Sequence, residues 1–216
     1  MDTTTTTTPA ITSISLEVDD VNEAAAFYAA LDLEAQLKDQ LRLRPAAAPS
    51  SGFRGFTLSL IADQPSAVDQ VTRSAITAGA TMIKPVTKSF WGYGGVFRSP
   101  DGTLWKVATS TKKDAPGKPG RIDELVILLG VCDMAATRDL YLSRGLAVAK
   151  SFGRKYVEFA SRPGTVKLAL YGRRALAKDA GVPPEGEGSH RLIINSTADP
   201  FTDPDGFAWG RPAEPR

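Results

Sequence analysis

Along this chain apolar residues alternate, then recur at helical spacing, then alternate again, and the whole pattern is met twice. Residues 11 to 18 place Ile14, Leu16 and Val18 on one face and Ser13, Ser15 and Glu17 on the other, as in a half-buried strand. Asp20 follows in N-cap position with Glu23 three residues on. A helix is predicted over Val21–Ala30, with Ala24 and Phe27 at core spacing. Further strands are predicted over Ala35–Leu43, Phe53–Ile61, Thr81–Lys84, Gly95–Arg98 and Leu104–Thr109. An amphipathic helix over Ser66–Ala78 ends at Gly79, and Pro100-Asp101-Gly102 turns the chain between the last two strands.

The repeat is explicit. Val18-Asp19-Asp20-Val21 with Ala26-Phe27-Tyr28 returns as Val131-Cys132-Asp133-Met134 with Asp139-Leu140-Tyr141, 113 residues later. Ser99-Pro100-Asp101-Gly102 through Trp105 returns as Asp203-Pro204-Asp205-Gly206 through Trp209, 104 residues later. Residues 10–110 are read as one domain, 111–120 as a Lys-, Pro- and Gly-rich linker, and 121–216 as an abbreviated second domain. Residues 1–9, a Thr-rich tract, are read as a disordered lead. The copies are trimmed in complementary ways. The second keeps a strand pair, Tyr156–Ala160 and Val166–Tyr171, and a helix-like stretch Arg174–Ala180, where the first has only Pro45–Gly52. The first keeps the Ser66–Ala78 helix, which the second lacks. Strand–helix–strand–strand order, repeated, argues an α+β fold with mixed sheets.

Composition narrows the function classes. A net charge of +2 without a basic block gives no footing for nucleic acid or a membrane surface. No apolar run nears the roughly 20 residues that span a bilayer. The N-terminus does not read as a signal peptide, so a cytoplasmic protein is expected. The single cysteine, Cys132, excludes an internal disulfide and is read as a small buried hydrophobe. His190 is the only histidine, so one chain cannot assemble a multi-histidine site.

The strand with Val-x-Asp-Val, the Phe-Tyr on the first helix, Ala78-Gly79-Ala80, Phe90-Trp91-Gly92 and Pro-Asp-Gly-x-x-Trp together resemble the vicinal oxygen chelate superfamily. That group includes glyoxalase I, extradiol dioxygenases and bleomycin resistance proteins. The resemblance implies tandem βαβββ modules whose curled mixed sheets enclose a cavity, a glyoxalase-like architecture. It also implies a divalent metal held by His or Glu from the first, a middle and the last strand of a copy. The implied positions are Ser13, about Thr57, and Lys106 in copy one, and Val126, His190 and Gly210 in copy two. A lysine ammonium repels a cation where a carboxylate should bind it. No metal and no cofactor are therefore expected.

Two functions follow from this reading. The first is a metal-free protein holding a small aromatic or anionic molecule, for sequestration, resistance or sensing. Its pocket is expected from Phe53, Phe56, Phe90, Trp91, Tyr93 and Lys106, with aromatics on a Gly-rich turn as a stacking platform. Arg42 and Arg44, alternating on strand two, are candidates for a cationic wall. The second is a lyase, isomerase or dioxygenase with a non-standard metal site or acid–base residues, for which Glu17, Lys106 and His190 are the candidates and Glu158 a further ligand. If the Ser13 face is the cavity, Glu17 points into it beside Lys106, as a poised base or equally as a structural ion pair. Trp105 and Trp209 are read as core, and the basic turns Gly153-Arg154-Lys155 and Gly172-Arg173-Arg174 as solvated loop charges. The partner is a small molecule, and a homodimer is left open.

Overall fold

The computed structural model describes residues 9–37, 39–90, 92–118 and 120–211. All of the expected lead at 1–9 except Pro9, and the aromatic Trp91, lie outside the described residues. The chain builds four modules. The first runs β1 (Ile11–Val18), α1 (Val21–Ala30), α2 (Leu33–Leu37) and β2 (Leu41–Pro45), then the short β3 (Ser50–Gly52). The second is β4 (Phe56–Ala62), α3 (Pro65–Thr77), β5 (Thr81–Ser89), β6 (Gly92–Arg98) and β7 (Leu104–Thr109). The third is β8 (Ile122–Val131), α4 (Met134–Ser143), β9 (Val148–Ser151), β10 (Tyr156–Phe159) and β11 (Lys167–Gly172). After it come α5 (Arg173–Ala180) and β12 (Gly186–Gly188), then a helix-less fourth module of β13 (Leu192–Ser196), β14 (Phe201–Thr202) and β15 (Ala208–Gly210).

Local chemistry sets these boundaries. Asp20 and Asp133 cap α1 and α4, each side chain accepting from two backbone N–H groups of the first turn. The expected strand at Ala35–Leu43 is half wrong. Leu33 and Leu37, at helical spacing, are buried on α2, and the strand begins only at Leu41. The expected loop at 90–95 is also too long, because Gly92 already pairs with Ser89 across the β5–β6 hairpin.

Each large sheet takes one module from each copy. The eight-stranded sheet runs β5-β6-β7-β4-β8-β11-β10-β9, and the five-stranded sheet β14-β15-β13-β1-β2. In both, first strands meet antiparallel across the repeat, β4 with β8 and β1 with β13. The first strands of the second, third and fourth modules also pair parallel with their last, as β4–β7, β8–β11 and β13–β15.

One apolar core lies between the two sheets, drawing Ile14 and Leu16 from β1, Leu58 and Leu60 from β4, Ile127 and Leu129 from β8, and Ile194 from β13. The face of each sheet turned away from this core is the one on which the resemblance places a cavity, hereafter the cavity face. No helix among the described residues is long and apolar enough to cross a membrane.

The repeated motifs meet in this core. Tyr28 on α1 donates to Asp101 Oδ2 at 2.5 Å and accepts from Trp105 Nε1 at 3.3 Å. Tyr141 on α4 donates to Asp203 Oδ2 at 2.6 Å and accepts from Trp209 Nε1 at 3.3 Å. Each copy therefore clasps its two modules with the same tyrosine, acid and tryptophan. Burial first, and the neighbouring carboxylate next, hold both phenols well above the usual tyrosine range. Burial likewise raises the Asp203 carboxyl.

Candidate functional site

Strand register decides which residues share a cavity face. On the eight-stranded sheet, Ser59 of β4 lies opposite Lys106 of β7 and Val126 of β8, and Val126 lies opposite Lys167 of β11. That row carries no imidazole or carboxylate. On the five-stranded sheet, Asn195 of β13 lies opposite Ser13 of β1 and Gly210 of β15. The first- and last-strand positions expected from the sequence thus do fall in common rows, but pair across the copies, Val126 with Lys106 and Ser13 with Gly210. The middle positions need correction. Ser59 and Asn195 are in register, in place of Thr57 and His190.

The eight-stranded cavity face is largely occupied by the protein itself. Helix α5 packs on β8, β11 and β4. Its Leu176, Ala177 and Ala180 form a small buried cluster with Phe53 and Leu104, flanked by Leu128 and Tyr171. Gly130 makes room for it: a Cβ there would lie 3.0 Å from the Arg173 Cα. At the other end, Gly181 takes a φ of 82° as the helix stop, and the Lys84 ammonium donates to the carbonyls of Lys178 and Asp179 at 3.0 and 2.5 Å. The two lysines of the row meet carboxylates, Lys106 with Asp179 at 3.0 Å and Lys167 with Glu124 at 2.7 Å. The Tyr156 hydroxyl donates to Glu158.

The five-stranded cavity face has no counterpart of α5, because copy one crosses from β2 to β4 without a helix. Asn195 Nδ2 donates to Ser13 Oγ at 3.1 Å and Ser15 Oγ at 2.9 Å. Ser15 lies opposite Arg42, and Glu17 opposite Arg44. Arg44 Nε approaches Glu17 Oε1 at 3.6 Å, whereas Arg42 Nε is buried without a hydrogen-bond partner. Orphaning a buried donor costs on the order of 1–3 kcal/mol.

The other expected residues scatter. The pair of Glu17 with Lys106 does not form, since β1 and β7 belong to different sheets. Phe53 is buried under the Arg173 guanidinium at 5.2 Å, and Phe56 lies in the main core. Phe90 is 82% exposed. Tyr93 donates to Asp69 of α3 at 2.7 Å, on the core side of its sheet, while Lys106 is on the cavity side. Of the expected pocket residues, Phe53 and Phe56 line one small cavity of about 90 Å³ with Arg54, Arg98 and Leu104, and Phe90, Tyr93 and Lys106 are not among its lining residues.

His190 precedes β13 and stacks on Phe207 at 4.0 Å between ring centres. Its Nδ1 faces the Arg54 carbonyl oxygen at 2.5 Å and its Nε2 the Asp205 carbonyl oxygen at 2.9 Å. Neither nitrogen is free for acid–base work on a ligand. Cys132, contrary to expectation, is exposed just past the end of β8. A hydrogen bond to Asp205 holds its thiol above the usual range, which disfavours the thiolate. Arg173 is no solvated loop charge either, donating to the carbonyls of Pro184 and Phe53. These three line an open cavity of about 440 Å³ whose histidine and Arg173 are already engaged with backbone. A groove of about 490 Å³ between α1, α2 and β2 is walled by Ala25, Leu33, Leu37, Leu41 and Leu43, and its Tyr28 hydroxyl already serves the clasp.

Paired strand–helix–strand modules sharing curled mixed sheets define an α+β protein of the glyoxalase-like class. No family model matches the sequence, and no curated protein matches it. Among solved structures, glyoxalase I from Zea mays is similar over 93% of this chain and 91% of its own, at 12% identity and a TM-score of 0.57. A candidate dioxygenase from Bacillus subtilis is similar over 87% of this chain and 71% of its own, at 15% identity and a TM-score of 0.52. The chain has the fold of the vicinal oxygen chelate superfamily.

That fold implies a divalent metal, and the residues present do not fit one. Its two rows hold Lys106, Ser59, Val126 and Lys167, and Gly210, Asn195 and Ser13. Hydroxyl, amide, ammonium and apolar groups do not supply the imidazole and carboxylate donors such ions need. Among the described residues, no three His, Cys, Asp or Glu side chains gather where they could hold a metal ion.

Proposed function

We propose that this protein is a metal-free binder on the vicinal oxygen chelate fold, holding a small organic anion on the cavity face of its five-stranded sheet. Sequestration, resistance or sensing is the role such a binder serves. The observation that carries this reading is the replacement of the metal-ligand rows by hydrogen-bond donors and cations. The asymmetry of the faces chooses the sheet. On the eight-stranded face α5 fills the space, and Asp179 and Glu124 neutralise the two lysines of the row. On the five-stranded face an arginine stands without a carboxylate partner among the described residues.

Elemental analysis of the purified protein tests it directly. The expected content of zinc, nickel, manganese and iron is well below one equivalent, and a stoichiometric content of any of them overturns the reading. A thermal-shift panel of small organic acids and their neutral analogues should raise the melting temperature for acids only, since a ligand that binds the folded chain stabilises it by mass action.

A further inference from the structure

We infer that Arg42, Ser15, Ser13 and Asn195 form a carboxylate site, in which direct hydrogen-bond donors stand where the fold elsewhere places a metal. The inference rests on the reading of a metal-free anion binder and names its ligand class. Asn195 spends both amide hydrogens on the two serine oxygens. Each serine hydroxyl keeps its own proton to donate, and among the described residues no hydrogen bond uses either. Ser13 and Asn195 are buried and form the floor, while Ser15 and Arg42 are half-exposed and give it an opening. The Arg42 Nε is a buried donor without an acceptor, as is the Nε of Arg191, whose NH1 meets Asp19.

Charge sets the ligand's valence. Glu17 neutralises Arg44, and Asp19 pairs with Arg191 at 2.8 Å, so Arg42 is the uncompensated cation of this face among the described residues. One cation flanked by neutral donors suits a monoanion with two oxygens, a carboxylate, better than a phosphate dianion. The row continues from Arg42 and Ser15 to Ile193 and Ala208, both half-exposed. Ser15 to Ala208 spans two strand spacings, about 10 Å. A small aryl monocarboxylate fits this order, with its acid at Arg42 and its ring over Ile193 and Ala208.

Benzoate is the probe, with benzyl alcohol as the neutral control, in an amide NMR titration of the full chain. Benzoate should shift the amides of Ser13, Ser15, Arg42 and Ile193 and the Asn195 side chain. Arg42→Gln should weaken it about tenfold or more, the share of one charge-assisted bond. Ser15→Ala should weaken it several-fold, and the spectrum of each variant reports its own folding. Benzyl alcohol should bind far more weakly than benzoate, and Lys106→Met should leave benzoate affinity unchanged. Shifts centred elsewhere, an unchanged affinity in Arg42→Gln, or equal binding of acid and alcohol overturns the site. Benzoate binding kept in Arg42→Gln and lost in Lys106→Met overturns the site but leaves the metal-free binder standing. A stoichiometric metal content overturns that broader reading, whichever amides move.

Discussion

The two sheets are joined by the same clasp and differ on their cavity faces. Tyr28 with Asp101 and Trp105, and Tyr141 with Asp203 and Trp209, repeat down to their hydrogen-bond distances. The cavity faces share none of this. One holds a helix, two neutralised lysines and an apolar cluster, and the other a serine–asparagine network beside a lone arginine. The repeat is kept where residues sit in the common core, where a lost partner strands a buried carboxylate or phenol. It is lost on the faces turned away from that core, where the neighbours differ. The repeated motifs of this chain therefore report its frame, and the two faces differ in the positions that do not repeat.

The sharpest way to break this comparison is to remove the helix from the occupied face. Leu176 is 1% exposed at the centre of the α5 cluster. Leu176→Ala should cost about 2–5 kcal/mol in denaturant unfolding, as a buried leucine does when its cavity cannot collapse. A loss under about 1 kcal/mol would mean α5 is a loose cover and that the two faces are equally open.

The clasps come next. The usual tyrosine value is 10.0, and both clasp phenols lie well above it in the folded chain. Above about pH 10 the unfolded chain therefore releases protons that the folded chain keeps, and stability falls as pH rises, by up to about 1.4 kcal/mol per pH unit for each tyrosine. Tyr28→Phe and Tyr141→Phe should each take one such share out of the alkaline slope, and each should cost about 1–3 kcal/mol at neutral pH by stranding Asp101 or Asp203. Unequal slopes from the two variants would show that the frame is less symmetric than its distances.

The frame was legible in the sequence because its signals are local or repeated. The Asp caps, the Pro-Asp-Gly turns and the alternation of Ile14, Leu16 and Val18 each read correctly. The shared strand parity of Arg42 and Arg44 was legible too. What failed depended on pairing. Nothing in the chain says that β1 joins a sheet other than that of β7, so Glu17 was placed beside Lys106. Ser59 and Asn195 became visible as row members only through register, because their spacing to the motifs differs between the copies. His190 was read as a strand residue, yet Arg191 takes a φ of 53° and the strand starts after it. Parity could have rescued Tyr93, which shares its face with the buried Phe97.

His190 sharpens the comparison from the side of the open cavity. Its ring bridges carbonyls from copy one and copy two, at Arg54 and Asp205. His190→Ala should cost about 1–2 kcal/mol from a ring hydrogen bond to one of these carbonyls and the Phe207 stack. Benzoate affinity should not change with it. A loss of binding without loss of stability would make the histidine a ligand contact and move the functional face.

The smallest effect belongs to the ion pair that closes the occupied face. Lys106 and Asp179 are 39% and 45% exposed, so their 3.0 Å contact is screened by solvent. Such pairs contribute about 0–1 kcal/mol. Lys106→Met should change stability by less than about 1 kcal/mol and lose salt sensitivity at that site. The hydrophobic contacts of Leu176, not this charge pair, then hold α5 down. A cost well above that, undiminished at high salt, would place the pair in a drier setting and make the lysine's position on the old metal row structurally selected.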